Sequence, residues 1–291
     1  HLHFVIAYHT LNRFTVTMGS EEDSVGGEEV PACIQKRISM LNDLHEERQT
    51  KMKEYLVERA KLESKYQAMM KPLYQTRSDI VSGKIDDDTQ SPEENGDNGE
   101  SPKGIPQFWV LTLAQMDTVA DQLTEDDITC LESLEDVKCE DNEAGDGFTL
   151  TFYFAGNEFF ENTILTKKYE VPNLLLGSEP MLKNVEGTEI KWKDGKCLTH
   201  KDVTQKQRGK GKNKGQVRTV VKKERQDSFF HFFTPPRMPS LDKMNEEEAL
   251  RLEAEYNSDY DIAQAFRLEI VPKAVLWYTG DGMQEMEAAI D

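Results

Sequence analysis

The sequence predicts an α+β protein: one long helix, then an antiparallel four-stranded sheet with helices on one side. Three observations predict it. Apolar and aromatic positions from Ile34 to Leu73 recur at alternating spacings of four and three, the signature of a helix that packs along another helix. From Gly147 the period drops to two, with Phe148, Leu150, Phe152 and Phe154 alternating with Thr149, Thr151 and Tyr153, as in a strand with one apolar face. Helical patterning returns around Asp227 and again from about Asn257 to Ile270, so helices and strands segregate along the chain.

Residues 1–20 lack Met at the start, and their short apolar run has no basic flank. They are read as a non-native leader, and 21–30 as a flexible segment. The long helix is placed at 31–80. Pro31 suits its first turn, and Pro72 should kink or break it, because proline removes the bond to the Ala68 carbonyl. A rod of some 45 residues is about 65 Å long, and the chain has no second helix to cover it. A second copy of the chain is the simplest partner, through Ile34, Ile38, Leu41, Met52, Tyr55, Leu62, Tyr66 and Met69. His45, Arg48 and Arg59 fall on the same seam, as a cost or as a register key. Packing of the rod on its own domain is the alternative.

Residues 81–103 are read as an acidic accessory loop. Asp86 to Glu100 holds seven acids and no Lys or Arg, too little apolar matter to bury. The folded domain spans 104–280, with further strands at 163–171, 188–193 and 216–223 and a basic hairpin tip at 206–215. The last residues, 281–291, read as a truncated acidic tail.

The 291 residues carry 35 Lys+Arg against 54 Asp+Glu, a net charge of −19. This disfavours direct contact with nucleic acid or an anionic membrane and favours basic partners. The charge is uneven. Residues 206–225 hold nine bases against one acid, a local +8, so the rest of the chain carries −27. Residues 121–146 hold eleven acids against Lys138, and 242–261 hold eight acids against Lys243 and Arg251. From these stretches Glu125, Asp126, Asp127, Glu132, Glu246, Glu247, Glu248, Glu253, Glu255 and Asp259 are the candidate partner-binding carboxylates. Solvated helix faces are the plainer reading of the same residues.

Four scattered cysteines, Cys33, Cys130, Cys139 and Cys197, show neither zinc-type nor redox spacing. No apolar run approaches the roughly 20 residues a membrane span needs. His45, His200 and His231 lack neighbours at ligand spacing, and acids this dense single out no catalytic pair. No enzyme activity, metal or cofactor is expected. The aromatic run Phe229–Phe233 before Pro235-Pro236 reads as core and chain reversal, as do Trp109 and Trp277. Lys206, Arg208, Lys210, Lys212 and Lys214 could serve nuclear import, DNA contact or solubility. A loose export-like pattern at Ile34, Ile38, Leu41 and Leu44 overlaps the helix seam.

Several segments, in order, resemble the nucleosome assembly protein family. They are Gly104-Ile105-Pro106-Gln107-Phe108-Trp109; Phe159-Phe160-Glu161-Asn162 with Leu165-Thr166-Lys167-Lys168-Tyr169; and Glu186 to Lys193 with Gln216 to Thr219. The most specific is Asp227-Ser228-Phe229-Phe230-His231-Phe232-Phe233-Thr234-Pro235-Pro236, and Ile270 to Gly280 closes the series. The resemblance covers about residues 31–280. It implies a headphone-shaped homodimer with antiparallel long helices and a concave acidic underside. It also implies a histone chaperone that binds chiefly the 2A–2B dimer and more weakly histones 3–4, promotes nucleosome assembly and histone transport, and shuttles between cytoplasm and nucleus through an import receptor that reads the basic hairpin. Two departures stand out: the family's long acidic tail is missing, and His231 stands where Asn is common. A phosphatase inhibitor of the related SET-like branch and a coiled-coil adaptor remain as alternatives.

Overall fold

A computed structural model describes residues 31–85, 103–176, 180–208, 217–235 and 245–282, without the side chains of 205–208, 217–220 and Glu246. The leader, the 21–30 segment, most of the acidic loop, the hairpin tip with Lys210, Lys212 and Lys214, and the tail beyond 282 lie outside these residues.

Helix α1 runs from Ala32 to Val81 without a break. The break expected at Pro72 does not occur: the helix gives up one backbone bond there and continues through the next turn, where the Thr76 hydroxyl donates to the Pro72 carbonyl at 3.0 Å. Only one face of α1 meets its own domain. Ala60 is its one buried residue. Arg59 donates to the Leu175 carbonyl at 2.6 Å, Lys71 pairs with Glu140, and Arg77 donates to the Val271 carbonyl. Arg59 therefore belongs to the domain-facing side and not to the exposed seam where its spacing had placed it. The other face leaves Ile34, Ile38, Leu41, Tyr55, Leu62, Tyr66 and Met69 exposed, and Met52 is half-buried.

The chain enters the domain through α2 (Phe108–Ala114), α3 (Asp117–Ala120) and α4 (Glu125–Leu131). Four strands follow: β1 (Leu134–Asp141), β2 (Gly147–Phe154), β3 (Ile164–Glu170) and β4 (Asn184–Gly187), antiparallel in the order β1-β2-β3-β4. Strands β5 (His200–Arg208) and β6 (Val217–Arg225) form a separate two-stranded ribbon. A 3-10 turn at Phe229–Phe233, helix α5 (Glu246–Ala265), a π turn at Phe266–Ile270 and α6 (Ala274–Thr279) complete the described chain.

Three strand expectations are corrected. The sheet begins with β1, inside a stretch read only as acidic. The strand expected at 188–193 is β4, just before it; beyond Thr188 the chain leaves the ladder and makes one isolated bridge, Phe160 to Trp192, outside the strands. The strand expected at 216–223 pairs with β5 in the ribbon and not with the main sheet.

The core follows from the alternation in β2. Phe148, Leu150, Phe152 and Phe154 are buried on one face, and the residues between them are half-buried on the other. Phe152 meets Phe233 and Phe266 edge-on at 5.1 and 5.0 Å between ring centres. Phe160, Trp192 and Phe230 pack mutually edge to face. Each ring so buried stabilises the domain by about 2–3 kcal/mol.

Candidate functional site

The acidic stretches fold into two short systems. In α4, Thr124 caps the helix: its hydroxyl accepts the Asp127 N–H, and the Asp127 carboxylate accepts the Thr124 N–H. This capping box, together with carboxylates at the positive end of the helix, explains why so acidic a segment is helical at all. Asn245 and Glu248 build the same reciprocal cap at the start of α5.

Asp127 is the first correction among the candidate carboxylates. It is 0% exposed and accepts the Ser228 hydroxyl at 2.6 Å and the Phe229 N–H at 2.9 Å. With its donors all from the protein, it holds the aromatic turn in place and has no surface to offer a partner. Asp259 is the second. It pairs with the ammonium of Lys167, which is 0% exposed, and accepts the Tyr169 hydroxyl at 2.8 Å. Lys167 also donates to the Phe232 carbonyl and lies 4.2 Å from the centre of the Phe232 ring. Burial pushes the Lys167 ammonium below its ordinary value, while Asp259 opposes the shift. Burial pushes Tyr169 upward, and Asp259 adds to it. Asp259 thus ties α5 to β3, since a buried ammonium needs an anion and hydrogen-bond acceptors.

What remains on the surface is a smaller and better defined set. Glu125, Asp126, Glu132, Glu247, Glu248 and Glu255 are exposed, and Glu253 is half-buried. Glu132 accepts the Gln107 amide at 2.8 Å, Glu255 lies 3.4 Å from Arg251, and Glu248 is committed to its cap. Asp117 and Asp121, on and after α3, are exposed as well. The 121–146 stretch loses further members: Asp136 is buried, with its carboxyl pushed upward by that burial, and Asp141 holds Arg267 in a two-pronged pair at 2.8 and 2.6 Å.

The two acidic systems are joined in space. Helix α3 packs against α5. Asp127 grips the first residues of the 229–233 turn, and the Lys167–Asp259 pair grips the Phe232 carbonyl near its end. The Phe-rich segment is therefore the shared floor of both, as its reading as core had placed it. Lys206 and Arg208 lie on β5 at the end of the ribbon. No cluster of His, Cys, Asp or Glu able to hold a metal occurs among the described residues, and no described helix is long and apolar enough to cross a membrane.

Lys167 escaped sequence reasoning, although a signal was present. It alternates with Leu165 and Tyr169, both buried, so the period of two placed its ammonium on the apolar face.

A family model described as nucleosome assembly protein matches residues 36–281. Nucleosome assembly protein 1;1 of Arabidopsis thaliana is 38% identical over 268 residues, which cover 89% of this chain and 69% of the relative. Nucleosome assembly protein 1;3 of Nicotiana tabacum is 36% identical over 258 residues, covering 87% and 67%. Among solved structures, nucleosome assembly protein 1 from Plasmodium knowlesi superposes with a TM-score of 0.62 at 27% identity, over 87% of this chain and 99% of that one.

Proposed function

The chain belongs to the nucleosome assembly protein family, and on that premise we propose that it is a histone chaperone, a homodimer paired through α1 that screens histones with the carboxylates of α4 and α5. The observation that carries this reading is where the acid sits. Residues 245–265 hold seven acids against Arg251, whereas α1 holds ten bases against seven acids. Packing like charges together costs stability, and a basic partner that neutralises them relieves that cost. Histones bound in this way are kept from unproductive contact with DNA until a nucleosome takes them up.

The finer parts of the reading are of the same kind. The 2A–2B dimer is the preferred cargo and histones 3–4 the weaker one. The protein works by binding and not by catalysis. It moves between cytoplasm and nucleus, with Lys206 to Lys214 as the import signal. Fluorescence titration at physiological salt tests the cargo: labelled 2A–2B dimers should bind more tightly than histones 3–4, and both far more tightly than lysozyme, a basic protein of unrelated shape. Equal binding of all three would reduce the protein to a general polyanion. Inhibition of a phosphatase without histone affinity would move it to the SET-like branch.

A further inference from the structure

Among the described residues, no strand pairs with the outer side of β4. Strand β4 pairs with β3 on one side, and the bonds there fix which of its backbone groups are used. The Thr188 N–H donates to the Thr166 carbonyl, and Glu186 and Asn184 stand opposite Lys168 and Glu170. In an antiparallel ladder every second residue turns its N–H and C=O to the neighbouring strand. Val185 and Gly187 therefore turn theirs outward. Among the described residues neither has a backbone partner on that side.

This edge is not flush with the surface. Asn184 to Gly187 line a cleft of about 920 Å³, whose walls include Ile190, Trp192, Phe233 and Tyr256. The faces of the strand differ. The position where a Gly187 side chain would stand is filled by the Phe233 carbonyl, so Val185 and Gly187 face the aromatic turn and Glu186 faces away from it. Glu189 lies just beyond. Among the described residues no ion pair engages Glu186 or Glu189: Lys168 stands opposite Glu186, Lys191 follows Glu189 by two residues and Lys223 lines the cleft without pairing with either, and Lys183 is drawn off to Glu170 at 3.4 Å.

We propose that the outer edge of β4 is a second docking site, which takes an extended segment of a basic partner as an added fifth strand. The outward N–H and C=O groups specify an extended backbone. The apolar walls accept valine-like side chains on one face, and Glu186 and Glu189 accept lysine or arginine on the other. Four residues at about 3.3 Å each give a contact about 13 Å long, enough for a short tail segment and far too little for a folded domain. The proposal rests on the reading that the partners of this chain are basic, and it adds a mode of capture separate from the acidic helices.

The test uses a fluorescein-labelled nonapeptide alternating lysine and valine, with the same peptide N-methylated at alternate amides as control. Both carry equal charge, so attraction to an acidic protein binds them alike, and only strand addition separates them. The unmodified peptide should bind about tenfold more tightly, the size of one or two hydrogen bonds. It should also slow amide exchange at Val185. Val185→Pro removes an outward donor and none that β3 uses, and it should erase the difference between the two peptides. Equal binding of both peptides to the unaltered protein, or unchanged exchange at Val185, overturns the site. If 2A–2B dimers still bind in that case, the chaperone reading stands without it; if they do not, both fall.

Discussion

Helix α1 and the α+β domain treat their apolar side chains in opposite ways. The domain buries nearly all of its aromatics: Trp109, Phe148, Phe152, Phe160, Phe229, Phe230, Phe233, Phe266 and Trp277 are each almost inaccessible. The helix buries Ala60 alone and leaves a row from Ile34 to Leu73 in solvent, with Leu62 still 54% exposed. Charge divides along the same line, because the helix carries a small excess of base and the domain carries the acid. The helix is half of an interface, and its second half is another copy of itself in the reading proposed here.

The largest expected effect breaks the domain side of this contrast. Phe152→Ala removes the ring that Phe233 and Phe266 close on, and should cost about 3–5 kcal/mol in thermal or urea unfolding of the domain. Sedimentation should still show the dimer at temperatures where the variant remains folded. Leu62→Asp is the converse. A charge in an apolar helix seam costs several kcal/mol per copy, so sedimentation at low micromolar concentration should show a monomer, while unfolding of the domain shifts by less than about 1 kcal/mol. A dimer that survives Leu62→Asp would mean that the exposed row is not the seam.

Two smaller effects sharpen the contrast within the domain, between carboxylates that hold the fold and those that face solvent. Asp127→Ala leaves the Ser228 hydroxyl and the Phe229 N–H without their acceptor and removes half of a capping box. It should lower stability by about 2–3 kcal/mol, whereas Glu125→Ala, two residues away and exposed, should fall within about 0.5 kcal/mol of the parent. The smallest effect is a pH dependence. His231 donates its Nε2–H to the Gln226 carbonyl, 2.9 Å away, and its pKa is lowered chiefly by burial, with Arg225 and His200 adding to the shift and the Gln226 carbonyl opposing it. A histidine with a depressed folded-state pKa contributes stability that is present above its unfolded value of about 6.5 and is lost as pH falls through the folded value. Melting curves between pH 7.5 and 5 should therefore fall more steeply for the parent than for His231→Asn.

The sequence made the long helix and β2 legible because each keeps one period over many residues. Strand β1 was hidden because a register shift between Leu134 and Asp136 breaks its alternation, and because its acids resembled a solvated stretch. The candidate carboxylates were legible as groups but not singly. Asp127 and Asp126 are neighbours of identical chemistry, and only the approach of Ser228, about a hundred residues later, decides which is buried. The same holds for Asp259, whose partner Lys167 comes from the sheet. Long-range partners of this kind leave no mark in local composition. The domain-facing role of Arg59 was obscured for a related reason: a spacing of three and four places a residue near a seam, and the Leu175 carbonyl of another element draws it to the other side.

The central claim is that histones are held by the exposed carboxylates of α4 and α5, and the most direct measurement is the salt dependence of 2A–2B binding to a variant that neutralises them. Glu125→Gln, Asp126→Asn, Glu247→Gln and Glu255→Gln together spare Asp127, Asp259 and the cap at Glu248, so the fold keeps its anchors. Relative to the parent, affinity at physiological ionic strength should fall by about tenfold or more, and its dependence on salt should flatten. A variant that binds 2A–2B dimers with the parent's affinity and the parent's salt dependence would contradict the account.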